Sequence, residues 1–265
     1  MKPELIVHGA AGRMGKRILA LAIESGQFHI AAAVDYEKCP DIGKDAGINA
    51  GSDSVDVNIS AEFPSSADVL IDFSLPQATD RVIKYCQDNG VALVLATTGL
   101  STSQIENVKY ASKKIPVVYA TNMSVGMNVL FATIGKIAKM LGEDYDIEIT
   151  EAHHRFKKDS PSGSALSLAE AICKETDRPY PDCLVHGREG KDTLRQQGTV
   201  GMHAIRAGGI TGEHSVIFSA LNETVTISHS AHSRDNFAIG ALAAAKWIIA
   251  KEPGMYTMKD VLGIG

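Results

Sequence analysis

Residues 4–15 read Glu-Leu-Ile-Val-His-Gly-Ala-Ala-Gly-Arg-Met-Gly, and they are the clearest indication of the fold in this chain. A short apolar strand ends in glycine, and further glycines follow at intervals of three residues. Residues 16–24 then carry an apolar face at helical spacing, which a Ser-Gly pair ends. A second strand at residues 30–34 leads into Asp35. Strand, glycine turn, helix and strand together predict a βαβ unit.

The parts of this unit suit a dinucleotide. Gly9 permits a tight turn, Gly12 lets the backbone approach a pyrophosphate, and Gly15 lets helix and strand pack closely. Unpaired N–H groups at the helix N-terminus favour phosphate oxygens. Asp35 follows Gly15 by 20 residues, where an acid that binds a ribose is expected. The spacing G-x-x-G-x-x-G is a variant of the usual pattern, and the alternative is a glycine-rich turn that binds nothing.

The alternation of strands and helices continues. Apolar runs at residues 69–73, 91–95 and 116–119 predict strands, and residues 77–89 and 101–113 predict helices. Continuous apolar strands separated by helices predict a Rossmann-like, doubly wound parallel sheet, whose ligands lie beyond the C-terminal strand ends. The residues expected at that edge, besides the glycine turn, are Asp35, Asp72, Phe73, Ser74, Thr97, Thr98, Gly99, Thr121 and Asn122.

The pattern changes after residue 124. Helices are predicted at residues 126–141, 161–175 and 236–250, and alternating segments at 146–150, 199–210 and 214–227. These segments predict an open mixed or antiparallel sheet. We therefore expect a dinucleotide-binding domain at residues 1–124, with residues 234–265 packing back on it, and an α+β substrate-binding and oligomerisation domain at residues 125–233.

A cluster of basic and titratable residues follows the strand predicted at 146–150: His153, His154, Arg155, Lys157 and Lys158. On a chain of net charge −5 it favours an anionic ligand with proton donors close by. The turn after it, Ser-Pro-Ser-Gly-Ser, enters a helix, so the N–H groups of Gly163 and Ser164 can hold a carboxylate. A solvated basic loop is the alternative.

Zinc is a competing interpretation of the two adjacent histidines. A zinc site needs at least three converging ligands, and the neighbouring cations would repel the metal, so we expect no metal. The later histidines are expected to be structural or surface residues: His186, His203, His214, His229 and His232.

Composition excludes several classes of protein. Net charge −5 and a pI near 6.0 give no reason to expect a nucleic acid partner. No apolar run is long enough to span a membrane, and the N-terminal residues do not resemble a signal peptide. The cysteines are scattered and never in C-x-x-C spacing, which favours reduced thiols and a cytoplasmic protein.

Residues 151–165 read Glu-Ala-His-His-Arg-Phe-Lys-Lys-Asp-Ser-Pro-Ser-Gly-Ser-Ala. They closely resemble the pattern E-A-H-H-x-x-K-x-D-A-P-S-G-T-A of the 4-hydroxy-tetrahydrodipicolinate reductase family, which acts in the diaminopimelate route to lysine. The glycine turn and residues 97–99, 122–126, 212–214 and 260–262 resemble the same family in the same order. The resemblance covers essentially the whole chain.

The resemblance implies that a cyclic, unsaturated dicarboxylate is reduced with NADPH or NADH. His153 matches the general acid/base, Lys157 a second proton donor and His154 a substrate contact. Gly163 and Ser164 match the carboxylate-binding turn. The positions that match cofactor contacts are Gly9, Ala10, Ala11, Gly12, Arg13, Met14, Asp35, Ala96, Thr97, Thr98, Ala120, Thr121, Asn122 and Met123. The resemblance also implies a homotetramer joined through the sheet of the substrate domain.

The chain departs from the family pattern in places. Tyr36 stands where the family often has an arginine that pairs with the 2′-phosphate of NADPH, so the choice between NADH and NADPH stays open. Ser160 and Ser164 replace alanine and threonine, and Leu75 stands where some members have arginine. Two other functions remain as alternatives: an amino-acid dehydrogenase acting on aspartate or homoserine, and a nucleotide sensor without catalytic activity.

Overall fold

The computed structural model describes residues 1–264, which form two compact units. Unit 1 comprises Met1–Val125 and the segment from Arg234 onward, and unit 2 comprises Gly126–Ser233. The strands are β1 (Glu4–His8), β2 (His29–Val34), β3 (Ile59–Ser60), β4 (Val69–Asp72), β5 (Ala92–Leu95), β6 (Pro116–Tyr119), β7 (Asp146–His153), β8 (Leu184–His186), β9 (Val200–Arg206), β10 (Glu213–Ser219), β11 (Thr224–Ser230) and β12 (Gly254–Tyr256). The helices are α1 (Arg13–Ser25), α2 (Ala46–Asn49), α3 (Thr79–Asn89), α4 (Thr102–Ala111), α5 (Val125–Leu141), α6 (Gly163–Glu175), α7 (Asp235–Ile248) and α8 (Met258–Leu262).

Unit 1 is built on a sheet in which, within the described residues, seven strands pair in the order β12-β6-β5-β4-β1-β2-β3. The paired strands run parallel throughout. Successive residues of β1 point to opposite faces. Leu5 and Val7 therefore pack with α1 and α7, whereas Ile6 packs with α3 and α4 residues such as Val82 and Val108. Burial on both faces confirms the predicted doubly wound sheet.

The turn from β1 into α1 needs glycine at two positions. Gly9 has φ +77°, a backbone conformation that residues other than glycine rarely adopt. A Cβ at Gly15 would lie 2.1 Å from the carbonyl oxygen of Gly9, so α1 could not approach the turn with any larger residue there. Helix α7 packs against α1, and Arg17 joins the two helices through hydrogen bonds of 2.7 and 2.9 Å to Asp235.

Unit 2 holds a mixed sheet whose strands pair in the order β11-β10-β7-β9-β8. Strand β7 runs parallel to β9 and antiparallel to β10. Ile147 and Ile149 of β7 share a core with Leu168 and Ile172 of α6. The structure thus confirms the predicted second, mixed sheet. None of the helices in residues 1–264 has the length and apolar character needed to cross a membrane.

Several elements differ from their predicted bounds. Strand β7 continues through His153, beyond its predicted end at residue 150, because buried Glu151 and His153 keep the alternation of the strand. Helix α6 begins at Gly163 and not at residue 161, since Ser162 caps it. Strands β8 and β12 were not predicted, because three residues are too few to show an alternating pattern.

Candidate functional site

In unit 1 the residues predicted to contact a cofactor lie at one edge of the parallel sheet. The glycine turn follows β1, Asp35 follows β2, Ala96 to Thr98 follow β5, and Ala120 to Met123 follow β6. Arg13 and Met14 begin α1. Since neighbouring parallel strands end on the same side, these residues come together at the C-terminal edge where such sheets bind ligands.

The turn between β1 and α1 has the form of a phosphate cradle. Gly12 precedes α1 and supplies no side-chain cap, so N–H groups of the first turn are available to an anion. A Cβ at Gly12 would lie 3.1 Å from the carbonyl oxygen of Gly9 and would narrow the cradle. The residues present therefore fit the pyrophosphate of a dinucleotide.

The carboxylate of Asp35 joins the cradle to the end of β2. It accepts hydrogen bonds from the backbone N–H of Ala11 at 2.8 Å and from that of Tyr36 at 2.9 Å. Asp35 is nearly buried, while the Tyr36 side chain is exposed. A carboxylate has about four lone-pair sites, so Asp35 has capacity left to accept hydrogen bonds from two neighbouring ribose hydroxyls.

A buried polar network lies at the same edge. Nδ1 of His8 lies 2.7 Å from Oδ1 of Asp72, and the Thr97 hydroxyl donates to Oδ2 of Asp72 at 2.8 Å. The N–H of Ser74 also bonds Asp72, at 3.2 Å. The Thr97 hydroxyl thus donates its proton within this network, and both Thr97 and Met123 are buried.

The centre of the candidate site in unit 2 is the carboxylate of Glu151, which is 1% exposed. Nδ1 of His153 lies 2.6 Å from Oε2 of Glu151. Arg206 donates from Nη1 to Oε2 at 2.7 Å and from Nη2 to Oε1 at 2.8 Å. The backbone N–H of Ser162 donates to Oε1 at 3.0 Å. One carboxylate therefore connects the histidine, the arginine and the N-terminus of α6.

The N-terminus of α6 lies beside this carboxylate. Ser162 caps the helix by accepting the N–H of Ala165 at 3.2 Å, and the same hydroxyl lies 3.1 Å from Nε2 of His214. A Cβ at Gly163 would meet nothing within 4 Å, so the turn is open on that side. The arrangement leaves the turn accessible to a ligand carboxylate.

The basic residues of the cluster take different positions. Nζ of Lys157 lies 2.9 Å from Oδ1 of Asp159, and Arg206 donates to the carbonyl oxygen of Asp159 at 2.7 Å. His154 follows β7, and its Nδ1 is buried without a hydrogen-bond partner in the described part of the chain. His153, His154 and Lys157 are thus grouped at the C-terminal end of one strand.

Burial and charge shift the titration of this cluster. Burial lowers the pKa of His153, and its hydrogen bond to Glu151 offsets that effect only in part. Burial raises the pKa of Glu151, but the hydrogen bonds from Arg206 and His153 outweigh it and hold the pKa below its usual range. Burial lowers the pKa of His214 to about 4.

Sequence reasoning assigned no role to Glu151, Ser162, Arg206 or His214. The position of Glu151, two residues before His153 in an alternating strand, was a usable signal for a shared face. His214 was expected to be a structural or surface residue, and the structure places it in the buried part of this cluster. Among residues 1–264, no three His, Cys, Asp or Glu side chains are grouped as a metal ion would require.

A glycine cradle on a doubly wound sheet, together with a second unit that carries a buried histidine beside a helix N-terminus, is typical of pyridine-nucleotide oxidoreductases. Sequence comparison narrows this class. Residues 3–123 match the model of the N-terminus of dihydrodipicolinate reductase, and residues 126–262 match that of its C-terminus. The chain belongs to the 4-hydroxy-tetrahydrodipicolinate reductase family.

Curated relatives are similar along their whole length. The 4-hydroxy-tetrahydrodipicolinate reductase of Citrifermentans bemidjiense is 41% identical over 264 residues, covering 98% of this chain and 99% of the relative. That of Acinetobacter baumannii strain AYE is 44% identical over 265 residues, covering 99% of this chain and 97% of the relative.

Solved structures agree on the fold. The dipicolinate-bound dihydrodipicolinate reductase of Paenisporosarcina sp. TG-14 has a TM-score of 0.76 at 19% identity, covering 97% of this chain and 98% of that one. An amine dehydrogenase of Mycobacterium smegmatis has a TM-score of 0.65 at 11% identity, with 97% and 95% covered. At these identities the likeness concerns the fold alone.

Proposed function

We propose that this chain reduces 4-hydroxy-tetrahydrodipicolinate to tetrahydrodipicolinate in the diaminopimelate route to lysine. The product has hydrogen where the substrate has its 4-hydroxyl group. One hydride and one proton therefore enter, and one water leaves. A reduced pyridine nucleotide, when bound, supplies the hydride; the chain must supply the proton and hold both ligands.

His153 is the proposed proton donor. It is nearly buried at the end of β7, and an imidazole exchanges protons near neutral pH. The observation that carries the proposal is the bridge made by Glu151, which contacts both His153 and the N–H of Ser162. Proton donor and helix N-terminus consequently lie at one place, as the reduction of a dicarboxylate requires.

The remaining groups of the cluster are proposed to bind the substrate. The N–H groups of Gly163 and Ser164 would donate hydrogen bonds to one carboxylate at the N-terminus of α6. His154 would contact the substrate from the other side of the strand end. Lys157, a second proton donor in the family resemblance, would stabilise negative charge that develops during hydride addition.

Unit 1 is proposed to bind the nucleotide through the cradle at residues 9–14, through Asp35, and through residues 96–98 and 120–123. Asp35 would accept the ribose hydroxyls, which favours NADH. Arg13 and Lys38 could still accept a 2′-phosphate, so NADPH remains a candidate. We further propose that the protein is cytoplasmic and forms a homotetramer joined through the sheet of unit 2. Light scattering of the purified protein would test the tetramer by measuring its mass.

A coupled assay tests the proposed function. The preceding pathway enzyme generates the unstable dicarboxylate, and the near-ultraviolet absorbance of the reduced nicotinamide is followed with NADH and NADPH in parallel. We expect oxidation that depends on the dicarboxylate. Nucleotide-dependent turnover of aspartate or homoserine, with none of the dicarboxylate, would instead favour an amino-acid dehydrogenase. Nucleotide binding without turnover on either substrate would favour a sensor.

A further inference from the structure

We propose that Glu151 and Arg206 form a positioning pair, in which the carboxylate holds His153 through Nδ1 so that Nε2 is the atom that transfers the proton. This inference rests on the proposed function of His153 as proton donor. Glu151 and Arg206 need not touch the substrate in this arrangement, because they act through the imidazole.

The direction of the imidazole follows from the contact to Nδ1. Nδ1 lies 2.6 Å from Oε2 of Glu151, and an ionised carboxylate only accepts hydrogen bonds. Nδ1 therefore carries a proton in both charge states of the ring. In the neutral ring Nε2 is then the unprotonated nitrogen, and in the charged ring the proton on Nε2 is the one that can be given to a substrate.

Glycine at position 212 keeps a side chain away from Nε2 of His153. A Cβ at Gly212 would lie 3.2 Å from Nε2 of His153 and 3.5 Å from Cδ2. Any residue larger than glycine would therefore crowd the proton-transfer atom. The ring of His214 stands edge-on to that of His153, with a centroid distance of 5.2 Å, and limits its rotation on another side.

Arg206 keeps the carboxylate ionised and fixed. Its two terminal nitrogens bond the two oxygens of Glu151, a bidentate geometry that fixes orientation as well as charge. The N–H of Ser162 supplies a further hydrogen bond to Oε1. In β7 and β9 the register places His153 opposite Arg206, so the pair depends on neighbouring strands of the sheet.

The charges around His153 decide how Glu151 affects its titration. Glu151 of β7, Arg206 of β9, His214 of β10 and Lys157 of the following loop face the ring. Burial lowers the pKa of His153, Glu151 raises it, and Lys157 and Arg206 lower it. Neutralising Glu151 should therefore lower the pKa of His153 further. The protonated donor would then be lost at a lower pH.

A double-mutant cycle in the coupled assay tests the pair with the full chain. We expect Glu151→Gln to lower kcat by about tenfold or more while KM changes by less than about twofold. The alkaline decline of kcat/KM should move to lower pH. In the His153→Gln background the same substitution should change kcat by less than about twofold, because the group through which Glu151 acts is already gone.

Glu148→Gln is the matched control. Glu148 belongs to the same strand and bonds two arginines and His203, but it has no contact with His153. It should leave the pH profile unchanged. An equal loss of kcat from Glu151→Gln in both backgrounds, or an unshifted pH profile, would overturn the positioning role. If Glu151→Gln does not fold, Arg206→Lys provides a second test: it keeps the positive charge but loses the bidentate contact to Glu151, so kcat should fall less than in Glu151→Gln, and this loss should also disappear in the His153→Gln background.

A readout independent of turnover separates this inference from the proposed function. Nitrogen chemical shifts of the His153 ring, assigned by comparison with His153→Gln, should show a proton on Nδ1 in the neutral ring. Glu151→Gln should reduce that preference. An unchanged tautomer in Glu151→Gln would overturn the pair. Full activity of His153→Gln would overturn the proposed proton donor while the tautomer still tests the pair.

Discussion

The hydroxyl of Ser162, which caps helix α6, lies 3.1 Å from Nε2 of His214. His214 is buried, and burial lowers its pKa from 6.5 to about 4. As the pH falls from 6.5 to 4, the unfolded chain therefore binds a proton at this residue before the folded chain does. The free energy of unfolding falls across that window and does not change further from this group below it.

His214→Gln should reduce this acid sensitivity. Between pH 7 and pH 5 the wild type should lose about 2 kcal/mol of unfolding free energy through His214, a loss that the variant escapes. Urea unfolding gives the free energy of unfolding of each protein at pH 7 and at pH 5. Because only the difference between the two pH values is compared, an effect of the substitution on stability at pH 7 cancels. His186→Gln, at an exposed site, is the control and should behave as the wild type. Equal acid sensitivity in all three proteins would contradict the burial argument.

Two glycines of the turn between β1 and α1 should affect different properties: Gly12 should affect nucleotide binding, and Gly15 should affect the stability of the fold. Gly12→Val should raise the dissociation constant of the nucleotide about tenfold or more, because the side chain narrows the phosphate cradle, and should leave the fold intact. Gly15→Ala should instead lower the free energy of unfolding by about 1–3 kcal/mol, since its Cβ would lie 2.1 Å from the carbonyl oxygen of Gly9. Nucleotide titration and urea unfolding of both variants measure these effects. A folded Gly12→Val that binds nucleotide normally would place the pyrophosphate elsewhere.

The buried carboxylate of Asp72 should stabilise unit 1. Asp72→Ala leaves the polar groups of His8 and Thr97 without their shared partner, which should lower the free energy of unfolding by about 3 kcal/mol. Asp88→Ala removes only an exposed ion pair with Lys84 and should change the free energy of unfolding by less than about 0.5 kcal/mol. Urea unfolding compares the two variants, and similar small losses in both would show that the network adds little.

The choice of nucleotide should respond to position 36. Tyr36→Arg places a guanidinium next to Asp35, where it can pair with a 2′-phosphate. We expect the ratio of kcat/KM for NADPH to that for NADH to rise by about fivefold or more. Tyr36→Gln is the uncharged control and should leave the ratio within about twofold. A ratio that Tyr36→Arg does not change would show that the 2′-phosphate lies away from this residue.

Local patterns in the sequence were sufficient for the fold class. The glycine spacing at residues 9–15 and the alternation of apolar strands with helices predicted the doubly wound sheet. The alternation in residues 146–150 predicted the start of β7. Its end was missed because polar Glu151 interrupts the apolar pattern, although the residue is buried among its hydrogen-bond partners.

The environment of His153 needed tertiary structure. Arg206 lies on β9, and its place opposite His153 depends on the register between two strands far apart in the sequence. His214 lies opposite Glu151 for the same reason, on β10. No local pattern specifies either register, so the sequence indicated the candidate proton donor but not the presence of Arg206 and His214 beside it.

The proposed role of His153 as proton donor can be tested by comparing two proteins. The kcat of wild type and His153→Gln would be measured in the coupled assay at saturating nucleotide, with the nucleotide dissociation constant determined for both. We predict that kcat falls by about 100-fold or more while the dissociation constant stays within about twofold, as expected when general acid catalysis is removed. A kcat within about twofold of the wild type would show that His153 is not the proton donor.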